Sequence, residues 1–258
     1  MSVEVHPSAV VSPAARLGEG VRIESYAVVG DGVELGRGTI VGSHAQIEGP
    51  ATFGEANRIF PHAVLGFEPQ DLKYHGERTK LDVGSRNVFR EFSTVHRGTM
   101  TGHGETVIGD DNYFMAYSHV AHDNRVGSGT VFANCASLAG HVDVGDRAIL
   151  GAFTAVHQFV RIGRHAFVGA FTQCRQDILP FCKTDGADAK TYGINTIGLK
   201  RLGFPDGEIE ALQKAYRLLV KSKLNTTQAL ERIESELSGP AVDELVKFIR
   251  ESKRGFHR

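Results

Sequence analysis

Tryptophan is absent from the 258-residue chain, cysteine occurs only three times, and no apolar run approaches the ~18 residues that a membrane-spanning helix needs. Cys135, Cys174 and Cys182 are odd in number and lack CxxC spacing, which excludes a fully paired disulfide framework and suits a reducing compartment. The segment Met1–Val11 has no basic stretch followed by an apolar one, so no secretory leader is expected and the cytoplasm is the expected location. An excess of one charge is lacking too. With 29 Lys and Arg against 30 Asp and Glu, the electrostatic footprint of a protein that wraps nucleic acid is missing. Hydrophobic residues, 41% of the chain, suffice for a substantial core. Glycine is what abounds: 30 residues, without collagen's period of three, mark a chain of many turns.

An aliphatic or aromatic residue returns every six positions. One series runs from Val5, Val11, Leu17 and Ile23 to Phe53, Ile59 and Leu65, and another from Ile108, Phe114 and Val120 to Ile162 and Val168. A small residue often follows, as in Leu17-Gly18, Val29-Gly30 and Val41-Gly42. Six is a multiple of the two-residue strand repeat and clashes with 3.6, so the pattern favours short strands over helices. Sustained over this length it predicts a repeat architecture. In a parallel β-helix, three hexads make a triangular coil of about 18 residues, coils stack at about 4.8 Å, and the periodic side chains fill the interior.

Two stretches interrupt the pattern. Residues Glu68 to Lys80, EPQDLKYHGERTK, lie between Leu65 and Val83, which are eighteen apart, so a loop is expected to replace part of a coil. A second excursion covers about 98–106. Such loops project from one edge of a solenoid and carry binding residues, the plainer alternative being a solvated tip. The repeat fades near Gln173, and the division expected is a β-helix over 1–190 and a small α-helical domain over 191–258. Its helices should comprise a short one at Gly198–Leu202, a longer one from Pro205-Asp206, one capped by Thr226 or Thr227 and running to Leu237, and one from Ala241 to Ser252. They should cover the solenoid's open end or pack along its side, because an uncovered end exposes unpaired strand edges.

Between the periodic positions sit His119, His122, His141 and His157. A coil of eighteen puts His122, Gly140 and Gln158 in one column, with His141 and His157 beside it. Gly140 leaves room over His122 and exposes an N–H suited to stabilising an oxyanion. Asp123 follows His122 directly, and since neighbours on a strand face opposite ways, contact between them requires corner geometry. An Asp at Nδ1 would fix the tautomer and raise the imidazole's basicity. A lone histidine is more often structural, but four converging by the repeat's geometry point to a site. Zinc is the alternative use of such a cluster; no Cys or second acidic ligand is placed nearby, and a base beside a carboxylate deprotonates a hydroxyl without metal. Neither metal nor other cofactor is expected.

The hexads resemble the hexapeptide-repeat acyltransferases. More narrowly, QDLKY at Gln70–Tyr74, VHRGT at Val95–Thr99, HVAHD at His119–Asp123, LAGHV at Leu138–Val142, AVHQF at Ala155–Phe159 and GINTIGLKRLGF from Gly193 resemble the UDP-N-acetylglucosamine O-acyltransferases that open lipid A synthesis. The resemblance spans nearly the whole chain. It implies a left-handed parallel β-helix, a homotrimer with sites between subunits, and metal-free transfer of a 3-hydroxyacyl group from acyl carrier protein to the 3-hydroxyl of UDP-N-acetylglucosamine. It makes His122 the general base, Asp123 its orienting partner and the Gly140 N–H the oxyanion donor. It assigns Asp71, Lys73, His96, His119, His141, His157 and Gln158 to sugar or thioester, and Asn195 and Arg201 to the nucleotide and its phosphates. Lys214, Arg217, Lys221 and Lys223 offer a face to acidic acyl carrier protein, or are simply a solvated helix face.

The chain departs from the family pattern at Ile197, where Glu is frequent, at Leu202, where a second Arg is common, and at Gly186-Ala187-Asp188-Ala189. By the same resemblance the acyl-length ruler position is Ala170, where glycine goes with longer chains and a bulkier residue with shorter ones, and Phe167 would narrow the groove further, so a preference for chains shorter than the longest family substrates is expected. Competing readings are the same chemistry on a 3-amino sugar nucleotide, a zinc-binding hydratase of the same repeat fold, the related N-acyltransferase, whose additional N-terminal domain has no room before Val5, and a non-enzymatic scaffold.

Overall fold

The computed structural model describes residues 2–258. Each coil contributes one short strand to each of three sheets, of eleven, nine and eight strands. Every strand pair is parallel except the last, Cys182–Asp185 with Lys190–Ile194, an antiparallel hairpin that the sequence pattern did not announce. Partners stand eighteen apart in uninterrupted coils, as in Ile23↔Val41, Val120↔Leu138 and Leu150↔Val168. The hexad side chains therefore stack inward. Ile23 is 2% exposed, whereas Val5, one coil earlier and with no coil beneath it, is 43% exposed.

Aromatic interior positions stack along the axis, Phe89 on Phe114 at 4.9 Å and Phe114 on Phe132 at 4.8 Å between ring centroids. A buried polar ladder runs beside them. The Asn57 Oδ1 accepts from the Asn87 N–H, the Asn87 Oδ1 from the Asn112 N–H, both at 2.9 Å, and the Asn112 Oδ1 from the Thr130 N–H at 2.7 Å. Each amide satisfies a corner N–H that the sheets leave unpaired, which is why these polar groups can be buried.

Register corrects the expectation for the first loop. Val83 pairs with Phe53, thirty positions away, and Leu65 pairs with Val95, so twelve residues are inserted and none of the coil is replaced. At the second excursion Ile108 pairs with Val83, twenty-five away, an insertion of seven. That loop is shorter than the sequence suggested, since Glu105 and Thr106 already belong to the strand Glu105–Ile108. Both insertions leave a strand of the nine-stranded sheet and enter one of the eight-stranded sheet, so they project from one corner in successive coils.

The C-terminal segment contains α1 (Thr196–Arg201), α2 (Asp206–Tyr216), α3 (Thr226–Glu236) and α4 (Pro240–Arg250), with α2 prolonged by a π-helical turn at Arg217–Lys221. Asn225, rather than Thr226 or Thr227, caps α3, in a reciprocal box with Gln228. Arg164 holds α4 to the solenoid through Glu244, with Nη2 to Oε2 at 2.6 Å. The tail returns to the last coil, where the Asp177 N–H donates to the Gly255 carbonyl at 3.0 Å and the His257 N–H to the Asp177 carbonyl at 3.1 Å. No helix among the described residues is long and apolar enough to cross a membrane.

Candidate active site

The corner that bears the two loops carries His122 and Asp123 in the next coil, Gly140 and His141 in the one after, and Gln158 and Phe159 in the one after that. Asp123, His141 and Phe159 occupy equivalent turn positions with φ of 59°, 60° and 64°. That left-handed turn supplies the corner geometry the sequence required. It swings the Asp123 carboxylate back so that Oδ2 lies 2.8 Å from His122 Nδ1. Asp123 also accepts the Thr99 hydroxyl at 2.6 Å, the Thr99 N–H at 3.1 Å and the His103 N–H at 2.8 Å. Burial alone would raise this carboxyl, but the hydrogen bonds from His122, Thr99 and His103 outweigh it and hold the group well below the usual carboxylate range. An ionised carboxylate only accepts, so in the neutral imidazole Nδ1 carries the proton and the lone pair is on Nε2.

Gly140 lies directly over that ring. A β-carbon there would come within 2.5 Å of His122 Cε1 and 2.7 Å of Nε2. Among the described residues no acceptor is found for the Gly140 N–H. The His141 ring stands edge-on to His122, 5.1 Å between centroids, and stacks on Phe159 at 4.6 Å. Burial lowers the proton affinity of His141, against the opposing pull of Asp123.

These groups open on a cavity of about 1170 Å³ walled by both loops, the corner column and the chain's tail. It brings together Asp71, Lys73, His122, His141 and Gln158 of the residues expected from sequence, with Asp123 and Gly140 backing the His122 ring. His96 and His119 form an adjoining pair on the nine-stranded sheet, rings 5.4 Å apart. His119 Nδ1 is 2.7 Å from the Thr94 hydroxyl, His96 Nδ1 meets the Glu68 carbonyl, and burial, with the neighbouring His96 and His122, pushes His119 down to about 4. His157 is exposed at the cavity's edge, 3.3 Å from Arg254 Nη2.

Four expected residues lie elsewhere in the chain. Asn195 caps α1, accepting the Gly198 N–H at 3.2 Å, and donates to the His165 carbonyl at 3.1 Å. Arg201 is exposed in the last turn of α1. Ala170 precedes the turn at Phe171, on the corner between the eleven- and nine-stranded sheets, and Phe167 sits in the eleven-stranded sheet. Sequence reasoning missed Thr101, His103, Lys253 and Arg254, which line the cavity. Thr101 and His103 stood in the second loop, but their place follows only from the seven-residue offset; the tail bears no periodic signal at all.

His122, Asp123 and His141 offer ligand atoms within 4.8 Å of one another. Their state does not fit a metal: both Asp123 oxygens are taken up by Thr99, His103 and His122, and the side chain is wholly buried.

A family profile described as "Udp N-acetylglucosamine O-acyltransferase; Domain 2" matches residues 177–257, and one for the bacterial transferase hexapeptide matches 14–49. A Burkholderia ambifaria protein named acyl-(acyl-carrier-protein)–UDP-N-acetylglucosamine O-acyltransferase is 51% identical over 259 residues, covering 98% of this chain and 99% of the relative. The chain belongs to the UDP-N-acetylglucosamine O-acyltransferase family. A relative of the same name from Thermodesulfovibrio yellowstonii is 45% identical over 99% of both chains. Among solved structures, LpxA from Acinetobacter baumannii superimposes with a TM-score of 0.96 at 37% identity, covering 98% of this chain and 99% of that one. Membership of the family makes the chain an acyltransferase, and its solenoid is the left-handed parallel β-helix of those structures.

Proposed function

We propose that the chain transfers a 3-hydroxyacyl group from acyl carrier protein to the 3-hydroxyl of UDP-N-acetylglucosamine, the first step of lipid A synthesis, with His122 as general base. The observation that carries this reading is the Asp123–His122 pair beneath Gly140, with a free Nε2 facing the cavity. Nε2 takes the proton of the sugar hydroxyl as its oxygen attacks the thioester carbonyl, and the Gly140 N–H receives the developing oxyanion. Collapse expels the carrier's thiolate, which recovers the proton from the imidazolium. Asp71, Lys73, His141 and Gln158 are positioned to hold the sugar or thioester, and His96, His119 and His157 to extend that wall.

Asn195, Arg201, Phe167 and Ala170 stand away from this cavity, so their roles toward nucleotide and acyl chain require a neighbouring subunit, and a homotrimer is part of the proposal. Exposed Phe153 and Phe171, stacked at 5.0 Å beside Ala170, support an apolar acyl path there. Lys214, Arg217, Lys221 and Lys223 are all exposed, as a docking face for acidic carrier protein requires. The division into a solenoid over 1–190 and a helical unit over 191–258 is supported as to two units by two separate hydrophobic clusters, but these part between Ile178 and Leu179, so the hairpin Cys182–Ile194 packs with the helices. The proposed reaction is placed in the cytoplasm, as the chain's three unpaired cysteines suggest.

The test is mass spectrometry of products from UDP-N-acetylglucosamine and a ladder of 3-hydroxyacyl carrier proteins, with His122→Ala and chelator-treated enzyme in parallel. A singly acylated sugar nucleotide, lost in His122→Ala and kept after chelation, is expected. Undiminished product from His122→Ala would remove the base, and loss on chelation would restore the zinc reading.

A further inference from the structure

Asp123 is served by more donors than its task of holding an imidazole requires, and all but one come from a single loop. The loop 97–104, which carries the seven-residue insertion, passes over the carboxylate so closely that a side chain on Gly102 would overlap it. Thr99 is 3% exposed and sits at the loop's pivot, its carbonyl accepting the Gly102 N–H at 3.1 Å and the Gly104 N–H at 2.9 Å. Both ends of the insertion are tied to the strand Lys80–Val83, where the Gly98 N–H donates to the Lys80 carbonyl at 3.2 Å and the Lys80 N–H to the Gly104 carbonyl at 3.0 Å. The loop is held from below, and Thr99 in turn holds the carboxylate.

We infer that Thr99 is a positioning residue for the His122–Asp123 pair: its hydroxyl and N–H, with the His103 N–H, set the plane of the Asp123 carboxylate and the charge that Oδ2 presents to His122 Nδ1. The inference rests on the proposed role of His122 as base. Directions of the hydrogen bonds follow from the chemistry of the groups. Ionised Asp123 cannot donate, so the Thr99 hydroxyl gives its proton to Oδ2 and can only accept from the Thr101 hydroxyl, 3.1 Å away. Thr101 is exposed and lines the cavity, so a chain of hydroxyls leads from the cavity to the back of the catalytic pair. On Oδ2 the Thr99 hydroxyl and His122 compete for the same negative charge. Without the hydroxyl, Oδ2 concentrates its charge on the imidazole and is otherwise held only by the Thr99 N–H, while the His103 N–H keeps Oδ1.

The decisive experiment compares Thr99→Val, Thr99→Ser and Thr101→Val with the native enzyme in kcat, KM and the pH profile of kcat/KM. The acid limb of that profile belongs to the pair as a unit. His141, whose Nε2 is 4.0 Å from Asp123 Oδ2, His103 on the same loop and Asp71 on the other also face it, with His119 and His96 behind. All of these are unchanged in the three variants. Thr99→Val is expected to lower kcat by about tenfold or more, with KM for the sugar nucleotide within about twofold, and to move the acid limb upward by about half a pH unit. Thr99→Ser, which keeps the hydroxyl, is expected to restore both. Thr101→Val alters an exposed side chain, so it remains informative should Thr99→Val not fold, and a smaller shift in the same direction is expected.

A native limb in Thr99→Val, a serine variant as impaired as the valine, or no shift in Thr101→Val where the valine at 99 does not fold, would overturn the inference. Failure of the base reading is distinguishable, because His122→Ala would then retain activity.

Discussion

Adding a single methyl group at Gly140 tests whether His122 works from where it stands. The glycine does not use left-handed backbone space, so alanine fits the main chain without strain. Its β-carbon, however, would lie 2.5 Å from His122 Cε1, 2.7 Å from Nε2 and 3.1 Å from Nδ1, where ordinary contacts begin at 3.4 Å. Relief requires the ring to retreat by roughly 1 Å, a displacement that can cost on the order of a hundredfold in rate. The His122 side chain is 15% exposed and can swing toward the cavity. Asp123, wholly buried and held by the second loop, cannot follow, so the 2.8 Å bond breaks. Gly140→Ala should therefore lose about a hundredfold in kcat, equivalent to about 2.7 kcal/mol, with little change in KM or melting temperature. Initial rates of 3-hydroxyacyl transfer to UDP-N-acetylglucosamine, beside a thermal melt, measure both. A kcat within about threefold of native in a well-folded variant would refute the placement of the base.

Two further expectations concern stability. His119 and His165 are each pushed down to about 4, chiefly by burial, so both are neutral in the fold and bind protons more readily when the chain unfolds. Stability is then intact above about pH 6.5 and falls as pH drops toward about 4, by about 1 kcal/mol per histidine at pH 5.5. Urea midpoints at pH 7.5 and 5.5 measure it, and an identical pH slope in His165→Gln would contradict the assignment for that residue. Asp123 adds nothing in that window, because its stabilisation is lost only below the ordinary carboxylate range. In the interior, Phe114→Ala removes a ring clasped between Phe89 and Phe132 and should cost about 3–5 kcal/mol in denaturant unfolding; a loss under about 1 kcal/mol would mean that the coils close over the gap.

The sequence was legible wherever eighteen-residue arithmetic held. No insertion falls between His122 and Phe159, so the column of His122, Gly140 and Gln158 follows from spacing alone, and the overlap of Gly140 with the imidazole follows from the column. Upstream the arithmetic misled. Leu65 and Val83 are eighteen apart, yet they belong to different sheets, because one hexad and a twelve-residue insertion happen to add up to a coil. For the same reason Thr99 and Asp123, twenty-four apart and hydrogen bonded, fall in no column. The partner of His122 was visible as its neighbour in sequence, but only the left-handed turn at Asp123 turns adjacency into contact. The hairpin Cys182–Ile194 and the returning tail escaped notice because neither carries a repeat: long-range pairings alone define them.

The asparagine ladder passes both insertions without a missing rung: Asn57, Asn87 and Asn112 bond in succession although thirty and then twenty-five residues separate them. The scaffold thus counts turns, not residues, and one corner of it tolerates extra chain at no cost to the register of the rest. Redesign can exploit that tolerance. Loops of other lengths and chemistries, spliced in place of the first insertion, would meet the same histidine at the same height, so acceptor choice could be varied by grafting there while the second loop, which holds Asp123, and the catalytic column are left untouched.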